Sequence, residues 1–371
     1  MRITPRRSWF TALGIVLFSG VVGLLASEVL VRFIWPQQLI VYRPDLFVAT
    51  DSIHHVHAPH LRTTMNTGER TVQYLTDADG YRVGQRGRST APLKVLILGD
   101  SFIEAAQVEH EQTVAGLLET RMPADVRNAG TVAYGPSQYI IVARRMLSRE
   151  AFGLLVVGVS LENDEEESRV IVPAGVPHLE HPLHWPETAS LRGIVDAIGY
   201  PVNDVLEEHS HLFILARHSF QIALMRAHLS PLPLPIWYDR ARANLPAWDS
   251  TVAILNDIGI AADVRRVPVV FLLLPSSFQV DTADFNRYVR GLHVERSHID
   301  LDQPNRLLTA RLRARGRIVV DPTEALRSAS NRGIRTHGRF DPHLSPAGHA
   351  IIAGQLLSTI KPMMVANSSL R

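Results

Sequence analysis

No cysteine occurs anywhere in the 371 residues. Disulfides, thiolate metal centres and cysteine nucleophiles are therefore excluded together, and an exported chain of this kind has no thiol to mispair. A surplus of one charge is also missing. The 38 Lys and Arg against 36 Asp and Glu leave a net charge of +2, and no basic cluster is interleaved with aromatics, so nucleic-acid binding has no electrostatic support. There is no internal repeat and no low-complexity tract, and neither a phosphate-cradling glycine loop nor a dinucleotide fingerprint opens a helix after a strand. What is present is a hydrophobic content of 46%, which excludes a disordered chain and suffices for one large domain with additions.

From Trp9 to Ala26 there is no charged residue, and the apolar run continues to Trp35 with only Glu28 and Arg32 near its end. A helix needs about 20 mostly apolar residues to cross the hydrocarbon core. Arg2, Arg6 and Arg7 precede the run, so the positive-inside rule keeps the N-terminus cytoplasmic and puts everything after about Trp35 outside. Glu28 and Arg32 are expected to extend toward water at the outer interface. A cleaved signal peptide is the competing reading, but its apolar region is usually ~7–15 residues and Leu25-Ala26-Ser27 fits a small-x-small cleavage site poorly.

Beyond the anchor, strand-like apolar runs alternate with helical spacing. Val95–Leu98, Asp125–Arg127, Leu154–Val159, Val269–Leu274 and Arg317–Val320 read as strands, and Thr113–Glu119 and Ile140–Leu147 as helices. That rhythm predicts a three-layer α/β/α sandwich around a parallel sheet of about five strands. Residues 36–90 read as a lead-in segment packing on this domain: Thr71–Thr76 alternates like a strand, Asp77–Arg82 is a turn, and His54, His55, His57 and His60 fall in loop. Those histidines lack an acidic or cysteine partner in sequence, so no metal site is expected. Residues 91–371 form the main domain, interrupted from about 164 to 245 by a proline-containing stretch that reads as a lid-like insertion. Asp164-Glu165-Glu166-Glu167 at its start is expected to be a solvated acidic helix beginning rather than a cation site.

The chemistry-bearing residues lie at the ends of these strands. Gly99-Asp100-Ser101-Phe102 follows the run Val95–Leu98 and brings a hydroxyl to the carboxyl edge of a buried strand, where α/β folds place ligands. Serine is a poor nucleophile until a base takes its proton. Asp341-Pro342-His343 supplies a histidine just before a helix opened by Ser345-Pro346, with a carboxylate two residues upstream. Donors for an oxyanion come from Asn128-Ala129-Gly130 and Glu162-Asn163-Asp164, both after strands.

Serine, glycine, asparagine and histidine in this order resemble the SGNH, or GDSL, hydrolases, over about Lys94 to Ile360 with the middle third poorly matched. The resemblance implies a flavodoxin-like fold, Ser101 as nucleophile and first oxyanion donor, Gly130 as a second backbone donor, Asn163 as a side-chain donor and His343 as general base. Val319–Leu326 looks like the family's penultimate strand and turn. Many members carry the supporting aspartate three residues before the histidine, where this chain has Phe340. The two-residue spacing of Asp341 resembles the branch containing membrane-associated polysaccharide O-acetylation proteins, and the resemblance makes Asp341 the residue expected to orient His343; a Ser–His dyad aided by a backbone carbonyl is the alternative.

What the resemblance implies is a serine esterase or deacetylase working outside the cytoplasm through an acyl-serine, without cofactor or metal, on an ester-bearing substrate such as an acylated envelope polysaccharide. A polysaccharide O-acyltransferase would use the same site. A non-catalytic glycan-binding or assembly protein of the envelope is the reading from another class.

Overall fold

The computed structural model describes residues 6–35, 37, 46–50, 53–67, 69–162, 164, 205–206, 209–226, 236–244, 246–292, 295–339 and 342–368. The chain divides into two compact units, one of residues 1–41 and 181–224, the other of 42–180 and 225–371.

In the smaller unit, helix α1 (Arg6–Ile34) contains the 26-residue stretch Trp9–Ile34, which is long and apolar enough to cross a membrane. Glu28 does not extend to water as its position in the sequence suggests. Its carboxylate accepts hydrogen bonds from Arg32 Nε (2.7 Å), Ser210 Oγ (2.8 Å), His211 N (3.0 Å) and Leu212 N (2.9 Å). The last two are unpaired donors at the start of a helix spanning His211–Arg226, which any helix must satisfy with side chains or water. A carboxylate at this end also meets the positive pole of the macrodipole, so Glu28 ties the inserted stretch to α1.

The larger unit is built on one eight-stranded sheet. Its strands in chain order are β3 (Arg62–Asn66), β4 (Thr71–Thr76), β5 (Arg82–Val83), β6 (Leu93–Gly99), β7 (Ala124–Gly130), β8 (Leu154–Ser160), β9 (Val269–Leu274) and β10 (Ile318–Val320), while β1 (Phe47–Thr50) and β2 (His54–His57) form a separate antiparallel pair. The spatial order is β10-β9-β8-β6-β7-β5-β4-β3. The five strands from β10 to β7 run parallel in a doubly wound order, and β5, β4 and β3 extend the sheet antiparallel.

Side chains one residue apart on a strand enter opposite layers, and the core divides accordingly. Leu96, Leu98, Leu155, Val157 and Phe271 pack on one face with α4 (Pro136–Arg149) and the helices Pro246–Val264 and Gln303–Arg313. Val95, Ile97, Leu154, Val156 and Leu272 pack on the other with α3 (Val114–Arg121) and the helices Thr323–Asn331 and Pro346–Ser368. The three-layer reading holds. Its helix starts do too: Thr113 Oγ1 accepts from Gly116 N (3.1 Å) and Ser345 Oγ from Gly348 N (3.2 Å).

The lead-in segment departs from its sequence reading. Three of its four histidines are not in loop: His54, His55 and His57 belong to β2, His55 and His57 are buried there, and His57 has an acidic partner, Glu104, supplied by a distant part of the chain; His60 lies in a turn as expected. The Tyr74 hydroxyl donates to Glu104 Oε1 (2.8 Å) and so accepts from His57 Nε2–H (2.7 Å). Arg82, fully buried, donates from Nη1 to the carbonyls of Glu104 (2.7 Å) and Ala105 and from Nη2 to that of Val108 (2.5 Å). Three strands outside the parallel sheet thus grip residues 104–108.

Arg82→Met would withdraw the guanidinium from three carbonyls, of which Ala105 O keeps the Val108 N–H (3.2 Å), and would leave Glu104 without a nearby cation. Removing one partner of a buried charged network costs about 3–5 kcal/mol. The full chain in detergent should show this as a large drop in denaturant midpoint, whereas an unchanged midpoint would mean that Arg82 carries none of the grip.

Candidate active site

Strand β6 ends at Gly99, and the short helix α2 (Ser101–Glu104) begins at once. Asp100 is its N-cap: Oδ1 accepts from Phe102 N at 2.9 Å. The turn is so tight that α2 lies directly over the ends of β6 and β7, which are paired Gly99 to Gly130. A Cβ on Gly99 would sit 2.3 Å from Ile103 Cγ1, and one on Gly130 would sit 2.4 Å from Glu104 N. Both positions need glycine because α2 leaves no room for a side chain. The helix closes at Ala105 in the left-handed region, φ 55°.

His343 is delivered to the same edge by a loop held like a small hairpin. Gly338 N donates to His343 O (2.8 Å) and Ser345 N to Thr336 O (3.0 Å), around the bridge His337–Leu344. His343 Nε2 then lies 2.7 Å from Ser101 Oγ, across 242 positions of sequence, and its ring packs on Phe102 with centroids 4.8 Å apart. A hydroxyl whose proton is shared with an imidazole is the arrangement that activates oxygen for attack on an electrophilic carbon.

The other residues singled out in the sequence fare differently. Asn163 and Asp341 lie outside the described residues. Next to Asn163, Asp164 is not solvated as expected: it is fully buried, accepts from Ser160 N (2.9 Å) and Tyr139 Oη (2.9 Å), and pins the turn after β8. Asn128 and Gly130 are still in strand β7 rather than in a turn beyond it. Asn128 Nδ2 donates to Ile103 O (3.0 Å), and Gly130 N–H donates to Asn128 Oδ1 (3.1 Å), so this N–H is engaged within the chain. The Ser101 N–H stands in the first turn of α2, where a backbone N–H has no acceptor one turn back in the helix.

Two buried carboxyls and a half-buried amide near Ser101 escaped sequence reasoning. Burial would push Glu104 up, but His57, Tyr74 and the Val132 N–H together hold its carboxyl below the usual range. Burial pushes Asp100 up to about 6, against the Phe102 N–H and the proximity of His343. Gln107 Nε2 stands 3.1 Å from His343 Nδ1. Only Asp100 had a local signal, its place in the Gly-Asp-Ser motif; the other two lie in a stretch with no pattern of their own. Among the described residues no group of three His, Asp or Glu could hold a metal ion.

Similar solved structures include GDSL lipolytic proteins and acetylxylan esterases. A lipolytic protein of the G-D-S-L family from Veillonella parvula is 10% identical over 72% of this chain and 97% of its own, with a TM-score of 0.39. A GDSL-like lipase from Bacteroides thetaiotaomicron is 9% identical over 74% and 92%, TM-score 0.39. A catalytic mutant of an acetylxylan esterase from Geobacillus stearothermophilus is 13% identical over 74% and 94%, TM-score 0.39. No protein-family model and no curated protein matches the chain.

The Asp100 shift has a sign that can be checked. Its pKa of about 6 in the fold, against 3.8 as the ordinary value, means that the native state holds a proton the unfolded chain has already released. This contribution is complete below about pH 4 and is lost as pH rises through about 6, amounting to at most about 3 kcal/mol. Asp100→Asn keeps the Phe102 acceptor and cannot ionise, so its denaturant midpoint should gain on the wild type's between pH 4.5 and 7.5; parallel curves would place the shift elsewhere.

Proposed function

We propose that the chain is a serine-dependent esterase of the GDSL type, and that the Ser101 Oγ–His343 Nε2 contact of 2.7 Å is its working bond. That one distance carries the reading. In the proposed cycle His343 Nε2 takes the hydroxyl proton as Ser101 Oγ bonds to the ester carbonyl carbon. The carbonyl π pair moves onto oxygen, where the Ser101 N–H and the Asn163 amide meet it. The Gly130 N–H joins them by exchanging Asn128 Oδ1 for the oxyanion. The ester C–O bond then breaks, the departing alcohol takes the proton from His343, and an acyl-serine remains for water to cleave by the same steps. Asp341 is the carboxylate that orients His343 and favours the imidazolium.

We place the site outside the cytoplasm, on acylated envelope glycans. The support is the apolar helix Trp9–Ile34 with Arg2, Arg6 and Arg7 before it, which suits a tethered enzyme acting on polymer at the membrane surface. An acceptor sugar hydroxyl in place of water would make the same intermediate a transferase.

A fluorophosphonate probe should label the full-length protein in detergent, with labelling abolished in Ser101→Ala and weakened in His343→Ala. Well-folded protein that takes no label would point instead to a glycan-binding role. Removing one oxyanion donor costs roughly a hundred- to a thousandfold in turnover. Asn163→Ala should therefore lose that much aryl acetate hydrolysis while keeping its thermal midpoint; retention of most activity would remove Asn163 from the site. Acetate release measured with and without polysaccharide acceptor separates hydrolysis from transfer.

A further inference from the structure

The apolar surface of α1 continues past the length that a spanning helix needs. From Trp9 to Ala26 the chain carries no charge, and these 18 residues make about 27 Å of helix, close to the thickness of a hydrocarbon core. With Arg6 and Arg7 on the inner side, Glu28 stands at the outer rim of that core. Beyond it, Val29, Leu30, Phe33, Ile34 and Trp35 are still large, apolar and exposed. Apolar groups exposed together mark a face that meets a partner or a membrane.

The inserted stretch joins α1 at this level. Besides the bonds that Glu28 accepts from Ser210, His211 and Leu212, Arg32 Nη2 donates to the His209 carbonyl, and the Gln37 N–H donates to His211 Nδ1 (2.8 Å). Residues 209–212 are thus clasped to the outer end of α1, and the helix His211–Arg226 starts at the depth of Glu28. Ten of its 16 residues are apolar, and they surround it instead of forming one stripe. A helix apolar on every side must be covered on several sides by an apolar medium. Ile214 is buried, yet Phe220 is 63% exposed and Ala216 is exposed as well. At about 24 Å, with two arginines in its sequence, this helix is too short and too polar to span by itself. It carries no acidic residue, so its own charge suits the phosphates of lipid headgroups.

We propose that the helix His211–Arg226 is seated in the outer leaflet beside α1, so that this part of the insert binds lipid and the chain meets the membrane at two places. The proposal rests on the tether reading of α1 given above and is independent of the ester chemistry. Glu28 has a defined part in it. The N–H groups of His211 and Leu212 have no acceptor within their own helix, and at the rim of the bilayer water is too scarce to supply one. The carboxylate supplies it, and in turn its own charge is met by Arg32 and three further donors.

Because the chain has no cysteine, single cysteines can be introduced without background. Phe220→Cys and Ala216→Cys report on the insert helix, Leu17→Cys on the middle of α1, and Ser148→Cys on the exposed side of α4. Each full-length variant is spin-labelled and reconstituted into phosphatidylcholine–phosphatidylglycerol vesicles. Oxygen concentrates among acyl chains and a nickel chelate in water, so the ratio of their relaxation effects reads depth. At Phe220→Cys and Ala216→Cys this ratio should exceed that at Ser148→Cys severalfold and approach that at Leu17→Cys. Nickel access at both positions equal to that at Ser148→Cys, with Leu17→Cys still in lipid, would overturn the proposal and leave the tether standing. Shielding of both positions from both reagents would overturn it too, since protein and not lipid would then cover the helix. A water-exposed label at Leu17→Cys would bring down the tether reading and the proposal together.

Discussion

The approach of α2 to the ends of β6 and β7 is the constraint from which the site follows. Two strands paired glycine to glycine present a surface without side chains, and the chain turns back over it within one residue of leaving β6. That closeness fixes Ser101 at the rim of the sheet, presses Phe102 and Ile103 into the core, and leaves the hydroxyl half-buried where His343 can reach it. A longer connection would let the hydroxyl wander, and a Cβ at either glycine would lift the helix away from it.

Such a turn buries polar backbone, and the molecule answers with polar side chains drawn from the lead-in segment. Arg82 satisfies carbonyls of the turn, while Tyr74 and His57 satisfy Glu104, whose other oxygen caps Val132 N. A network of this kind in a low-dielectric interior gains from every pairing; the Glu104 carboxylate and both terminal amines of Arg82 are paired, while Arg82 Nε is buried without a partner among the described residues. Strands β2, β4 and β5 therefore do more than pack on the sheet or widen it: they hold residues 104 to 108, just past Ser101.

How far this was legible in the sequence varied with the range of the interaction responsible. Period-two burial on Thr71–Thr76, the apolar runs of β6, β8 and β9 and the Ser345 cap depend on neighbours a few residues away, and they read correctly. The histidines of β2 read as loop because their partners, Tyr74 and Glu104, are 17 and 47 positions distant from His57. Asp164 read as solvated because an acidic run is usually a wet surface; its burial depends on Tyr139, from another helix. Glu28 read as reaching for water because the helix it caps lies more than 180 residues away.

By itself, the sequence determined the layer architecture, the parallel core, the long apolar N-terminal helix and the Gly-Asp-Ser and His343 motifs, since each is written in local periodicity or in adjacent residues. Only the tertiary structure decided that the hydroxyl and imidazole meet, that Gly130 serves as a floor for α2 with its N–H engaged by Asn128, and that Gln107 faces Nδ1. Those are contacts between segments far apart in the chain. Their geometry is set by how the layers pack, and no spacing along one strand or helix encodes it.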